Sequence, residues 1–202
     1  MKPRPILATV LLMAATAAAQ STPGRVEQTF HNDGSVKMDL EAGDYEVRAG
    51  ASDKVVIRYI TRTPEQLKRV DVRINATGRY AKVIISNAPH NDFHAIIEVP
   101  PHTGLTIRLS AGDLDVNGIE GDKDIESHAG DLEIDVVRAE QYGSVDAAVK
   151  AGDLSAPAFQ VSKGGLFRSF RWNGPGKYRL HASLGAGDLK LRTGASPGKR
   201  LD

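Results

Sequence analysis

The chain has 202 residues, 41% of them apolar and 25% charged, with no cysteine. That is the make-up of a globular chain with an ordinary core, and it excludes a disordered polymer, a disulfide-stapled mini-domain and a lipid-modified N-terminal cysteine. Lys2 and Arg4 aside, 24 basic side chains stand against 25 acidic ones, so the bulk charge that draws proteins to nucleic acid is missing.

Residues 1–19 read as a secretory signal. Lys2 and Arg4 precede an apolar run from Ile6 to Ala15, too short to cross a bilayer, and small residues follow up to Gln20. The mature chain, 20–202, is expected to be one β-repeat domain in the periplasm or outside the cell, with no transmembrane segment. From Val26 onward apolar and polar residues alternate, at Val36–Leu40, Tyr45–Arg48, Val55–Tyr59, Val70–Ile74, Ala95–Val99 and Leu105–Leu109. Alternation places one face on a core and the other in water, so these segments are strands. The one helix signal is Thr63-Pro64-Glu65-Gln66, a capping box with proline in the first turn.

Beyond Pro100-Pro101 a tetrapeptide takes over. Ala-Gly-Asp-Leu begins at Ala111, Ala129, Ala151 and Ala186, and a variant, Ala42-Gly43-Asp44-Tyr45, stands earlier. Intervals near twenty residues indicate stacked units, none of which buries its apolar face alone. Glycine tolerates positive φ at a corner and aspartate accepts backbone amides there, while Leu114, Leu132, Leu154 and Leu189 turn inward, followed by Val116, Ile134 and Leu191. The expected fold is all-β, a strand-rich N-terminal half continuing into a short single-stranded β-solenoid. A ladder of corner aspartates holding cations is the sharper alternative, but one aspartate per coil is too few, so neither a metal nor another cofactor is expected.

The signal segment, the strand-rich front, the Val99-Pro100-Pro101 junction and the Gly-Asp-Leu coils together resemble the bacterial putative-adhesin, or "toast-rack", β-strand-repeat domains of unknown function. The resemblance covers residues 26–192. It implies a β-solenoid and brings no catalytic residues with it.

Signs of chemistry are sparse. Gly194–Lys199 imitates a phosphate loop but is followed by Arg200 where Ser or Thr is needed. His90, Asp92 and His94 face one way in an extended segment, yet Ala88-Pro89 and Asn91-Asp92 read as a hairpin loop. The acids of the coils, such as Asp113, Asp115, Asp131 and Glu133, fall at solvent-facing positions. An enzyme acting on an envelope polysaccharide through that acidic face is therefore the competing reading.

The most informative feature is a charge inversion. Ser110–Ala156 holds twelve acidic and three basic residues, whereas Pro157–Asp202 holds nine basic and two acidic. Lys163–Trp172 and Gly176–Leu180 read as a hairpin, around residues 163–183, turning at Asn173-Gly174-Pro175. It would present Phe167, Arg168, Phe170, Arg171, Trp172, Lys177, Tyr178 and Arg179 either as a cap on the open end of the stack or as a contact surface. The partners such a surface suits are an anionic envelope polymer, lipid headgroups or an acidic protein. Self-association, basic end on acidic coils, is a further expectation. The function expected is an exported, non-enzymatic scaffold or adhesin-like binding module of the cell envelope.

Overall fold

In a computed structural model, the residues described are 23–89 and 91–194; the signal segment 1–19 lies outside them. The strands, in chain order, are β1 (Gly24–Thr29), β2 (Ser35–Leu40), β3 (Asp44–Ala49), β4 (Lys54–Ile60), β5 (Asp71–Thr77), β6 (Tyr80–Ser86), β7 (His94–Val99), β8 (Gly104–Leu109) and β9 (Leu114–Asn117). They continue as β10 (Lys123–Ala129), β11 (Leu132–Asp135), β12 (Tyr142–Ala151), β13 (Leu154–Ala156), β14 (Val161–Lys163), β15 (Leu166–Asn173), β16 (Tyr178–Ala186) and β17 (Leu189–Arg192). The expected helix is present as α1 (Pro64–Leu67), with the reciprocal Thr63–Gln66 capping box formed. The alternation reading missed β6, whose Val83-Ile84-Ile85 run breaks the period of two. Among the described residues no helix is long and apolar enough to cross a membrane.

The fold is all-β, in two mixed sheets. One runs β1-β4-β7-β3-β9-β11-β17-β13-β14 and the other β15-β12-β16-β10-β8-β2-β6-β5. The chain bends from one sheet into the other at each Gly-Asp corner, so that β2–β3, β8–β9, β10–β11, β12–β13 and β16–β17 are bent rungs. Equivalent strands of neighbouring rungs pair in parallel. Antiparallel strands close the stack, β1, β4 and β5 at one end and β14 and β15 at the other. One apolar cluster fills the space between the sheets. The four corner leucines are at most 1% exposed and Val116, Ile134 and Leu191 are fully buried, each contributing about 1.5–3 kcal/mol by leaving water.

The corners show what the tetrapeptide is for. Gly112, Gly130, Gly187 and Gly152 have φ between 106° and 134°, and they lie one on another. A methyl group on Gly130 would come within 2.1 Å of the Gly112 carbonyl oxygen, and one on Gly187 equally close to that of Gly130. The aspartates bind across rungs, where a turn closed within one coil was expected. The amide of Asp131 donates to Asp113 (3.0 Å), that of Asp188 to Asp131 (2.9 Å) and that of Asp153 to Asp188 (3.0 Å). Backbone amides thus supply the positive partners that a cation ladder would have supplied.

These contacts also correct the expected winding. The stack order is β2–β3, β8–β9, β10–β11, β16–β17, β12–β13, so the last rung made is inserted between the two before it. Continuous single-stranded winding is not what the two sheets show; neighbouring rungs follow each other in the chain only from β8 to β11. The hairpin expected around residues 163–183 is likewise not formed. β12 lies between β15 and β16, antiparallel to the first and parallel to the second. The Asn173-Gly174-Pro175 turn signal marks a reversal, but a strand already in place separates its two arms.

Insertion explains the charge inversion. The basic strands β15, β16 and β17 settle beside the acidic β10, β11 and β12, and their charges meet inside one molecule. Arg171 reaches Asp146 (3.1 Å), Arg179 reaches Asp122 (3.3 Å) and Lys190 reaches Glu133 (3.5 Å). Arg192, 8% exposed, joins Asp115 (2.6 Å), Asn117 (2.7 Å) and Glu133 (2.9 Å).

Candidate contact surface

The eight residues singled out in the sequence divide between two places. Phe167, Arg168, Phe170, Arg171 and Trp172 belong to β15, the edge strand of the eight-stranded sheet. Lys177, Tyr178 and Arg179 lie at the start of β16, on the far side of β12.

On β15 the side chains have two jobs. Phe170, 8% exposed, turns inward, and Phe159 packs on it and on Trp172 at ring-centroid distances of 5.4 and 4.9 Å. This aromatic trio closes the open end of the core, the capping role a stack of rungs requires. Leu166 and Phe167 do the opposite, being 65% and 80% exposed. Phe167 has φ of 53°, a conformation that costs a bulky residue of order 1–3 kcal/mol. It follows the Gly164-Gly165 pair, and that left-handed step leaves two consecutive apolar side chains outside. Around them stand Lys163, whose ammonium donates to the Ser169 carbonyl (2.8 Å), Arg168, folded over Gly165, and Arg171, paired with Asp146. Arg168 Nε is buried and makes no hydrogen bond among the described residues.

The second group borders an open groove of about 1000 Å³ at the start of β2, β8, β10 and β16. Lys177 lies over the Tyr178 ring (4.8 Å), Tyr178 meets Tyr142 edge-on (6.1 Å), and Arg179 is held by Asp122 through both its amide (2.8 Å) and its guanidinium. Asp33, Asp124, Asp146 and His181 complete much of the lining. Beneath it Lys123 is 1% exposed, its ammonium donating to the Ile119 carbonyl (2.7 Å) and the Tyr142 hydroxyl (2.5 Å). Burial pushes this lysine down to about 8, against the pull of Asp135, Glu120 and Asp122. The same burial drives Tyr142 well above the usual phenol range.

The sequence placed the second acid of these rungs, two residues after the corner aspartate, on a solvent-facing surface, but it did not reveal the arginines that hold them. Glu46, Asp115 and Glu133 align across β3, β9 and β11; Arg48 holds the first and Arg192 the other two. The acidic face proposed for polysaccharide chemistry therefore carries its own internal counter-ions. Of the histidine trio, His90 falls outside the described residues, Asp92 pairs with Arg62 (3.2 Å) and His94 begins β7. The connection there runs between the two sheets, so it is not a hairpin.

No family model matches the chain, and no curated protein matches it. Among solved structures, a "putative cell adhesion protein" from Clostridium sporogenes superposes on 85% of this chain and 100% of its own, with 12% identity and a TM-score of 0.52. What the two share is the fold. A "putative adhesin" from Parabacteroides distasonis matches 84% of this chain and 69% of its own at 6% identity and a TM-score of 0.26. One from Parabacteroides merdae matches 84% and 96% at 9% identity and 0.25. At those scores the last two add nothing to the argument. The resemblance read from the Gly-Asp-Leu repeat thus meets, in three dimensions, the fold of a protein of similar description.

Proposed function

We propose that the chain is an exported, non-enzymatic, adhesin-like binding module of the cell envelope, and that it meets its partner with the β15 edge. The observation that carries this reading is the Leu166–Phe167 knuckle. Two adjacent large apolar side chains stand in water at the end of the stack, one of them in a costly backbone conformation. Exposed strain of this kind is retained where a surface is used. Lys163 and Arg168 beside the knuckle form no ion pair among the described residues and suit an anionic partner, whereas Arg171 is paired with Asp146; the apolar pair suits an interface with a nonpolar layer beneath its charges. An anionic lipid surface offers both; an anionic envelope polymer offers the charge alone. Lys177, Tyr178 and Arg179 border a separate groove and are not needed for this contact. Arg171, Arg179 and Lys190 are matched to acids of their own molecule, which weakens the electrostatic ground for head-to-tail self-association.

The experiment is co-sedimentation of the mature chain with phosphatidylglycerol vesicles, with phosphatidylcholine vesicles and with purified sacculi. Wild type is expected to pellet with phosphatidylglycerol and to be released by salt. Leu166→Ser with Phe167→Ser should remain soluble, keeping the melting temperature while losing the vesicles. Pelleting of this double variant equal to wild type removes the β15 edge as the contact. Binding to sacculi alone assigns the contact to the polymer.

A further inference from the structure

Away from the β15 edge, three side chains with metal-ligand chemistry converge on the outer face of the eight-stranded sheet. Asp124 and Glu126 leave β10 on the same side, two residues apart. His181 stands on β16 directly opposite Asp124 in the parallel register. One ligand atom from each of the three lies within 4.8 Å of the other two.

Arg108 approaches from the other flank, on β8, with its guanidinium 2.8 Å from Asp124 Oδ2 and 3.4 Å from Glu126 Oε2. It holds both carboxylates in place, and the Asp124 hydrogen bond raises the guanidinium above its ordinary range. Asp124 Oδ1 and Glu126 Oε1 accept no hydrogen bond among the described residues. On the far side of His181, Asp146 of β12 occupies the matching register position, so the imidazole has a carboxylate on the strand to either side. The site rests on adjoining interior strands of the sheet, whose pairing fixes the spacing of the three Cβ atoms before any ligand arrives.

We propose that Asp124, Glu126 and His181 bind a divalent transition-metal ion of the zinc type. One imidazole and two carboxylates form a nitrogen-and-oxygen donor set suited to Zn²⁺, and water from the open groove supplies the remaining positions. The two carboxylates offset part of the charge of the ion, and Arg108, which they also face, acts as the outer partner that fixes their orientation. Calcium and magnesium, which take oxygen ligands, gain little from an imidazole and are the poorer fit. The inference is independent of the β15 contact and stands or falls separately.

The test is titration of the mature chain with zinc chloride, followed by calorimetry and by the imidazole ¹⁵N resonances of His181. One ion per chain is expected, with the His181 resonances shifting in step with the heat and the melting temperature rising with zinc. His181→Ala, Asp124→Asn and Glu126→Gln should each weaken binding by roughly tenfold or more. Because His181 is an exposed side chain, His181→Ala should melt as wild type does when zinc is absent, which separates lost ligation from lost folding. Unmoved His181 resonances at saturating zinc overturn the site. So does a His181→Ala variant that binds as tightly as wild type, since the ion would then sit on another histidine.

Discussion

Gly130 occupies a place where a side chain of any size collides with the rung beside it. With φ of 110° and a would-be Cβ 2.1 Å from the Gly112 oxygen, Gly130→Ala combines left-handed strain with a backbone clash, and about 3 kcal/mol of stability or more should be lost in urea unfolding. The neighbouring aspartate is needed only for its acceptor oxygen. Asp131→Ala leaves the Asp188 amide unpaired and should cost about 1 kcal/mol, whereas Asp131→Asn keeps a carbonyl and should cost less. Calcium should leave the melting temperature of all three chains unchanged. If calcium stabilises wild type and Asp131→Asn abolishes that effect, the corners bind a cation after all. Lys123 gives a second test at this scale. Its ammonium titrates at about 8 in the fold against 10.5 in the open chain, so between those values the unfolded state carries more protons and stability should rise with pH, by roughly 3 kcal/mol across the window. Urea midpoints measured from pH 7 to 10.5 should show this rise, and Lys123→Met should flatten it.

A rung is a local object, but its place in the stack is not. Alternation and Gly-Asp punctuation reveal that Leu114, Leu132, Leu154 and Leu189 face the core, because strand direction alternates residue by residue and corners need glycine. Nothing local reveals that Leu189 pairs with both Leu132 and Leu154, since pairings across 57 and 35 residues are set by the completed sheets. The charge inversion was the one trace of insertion in the sequence. It was legible as a surface property and proves largely to be an internal match between neighbouring strands. The proposed contact surface was half legible for the same reason. Aromatic and basic residues mark β15 and β16 alike, but only the position of β12 separates a capped edge from a groove. Arg192 tests the match. It lies buried among Asp115, Asn117 and Glu133, and Arg192→Ala strands those partners, with an expected cost of about 3 kcal/mol in chemical denaturation that high salt does little to reproduce in wild type.

At the scale of the whole molecule, insertion changes which parts come apart first. In an array that climbs rung by rung in chain order, the C-terminal unit has one neighbour and frays. Here β16 and β17 have a rung on each side, and the ends of the stack are β1, β5, β14 and β15. The amides of Gly187 and Leu189 donate to Ala151 and Asp153, and Leu132 donates to Asp188, so opening the last rung breaks two interfaces at once. Native-state hydrogen exchange should therefore place Gly187 and Leu189 in the slowest class with Leu132 and Leu114, while Arg25, Asn75 and Ser162 on the end strands exchange early. A chain stopped after Gly174 should fail to fold, because β10, β11, β12 and β13 would each lose a neighbour and expose the leucine face between them. Folding should be slow for a chain of this size, since the rungs that flank the gap must wait for the segment that fills it. Exchange at Leu189 as fast as at Arg25 would mean the last rung is peripheral, and the inserted order of the stack would be refuted.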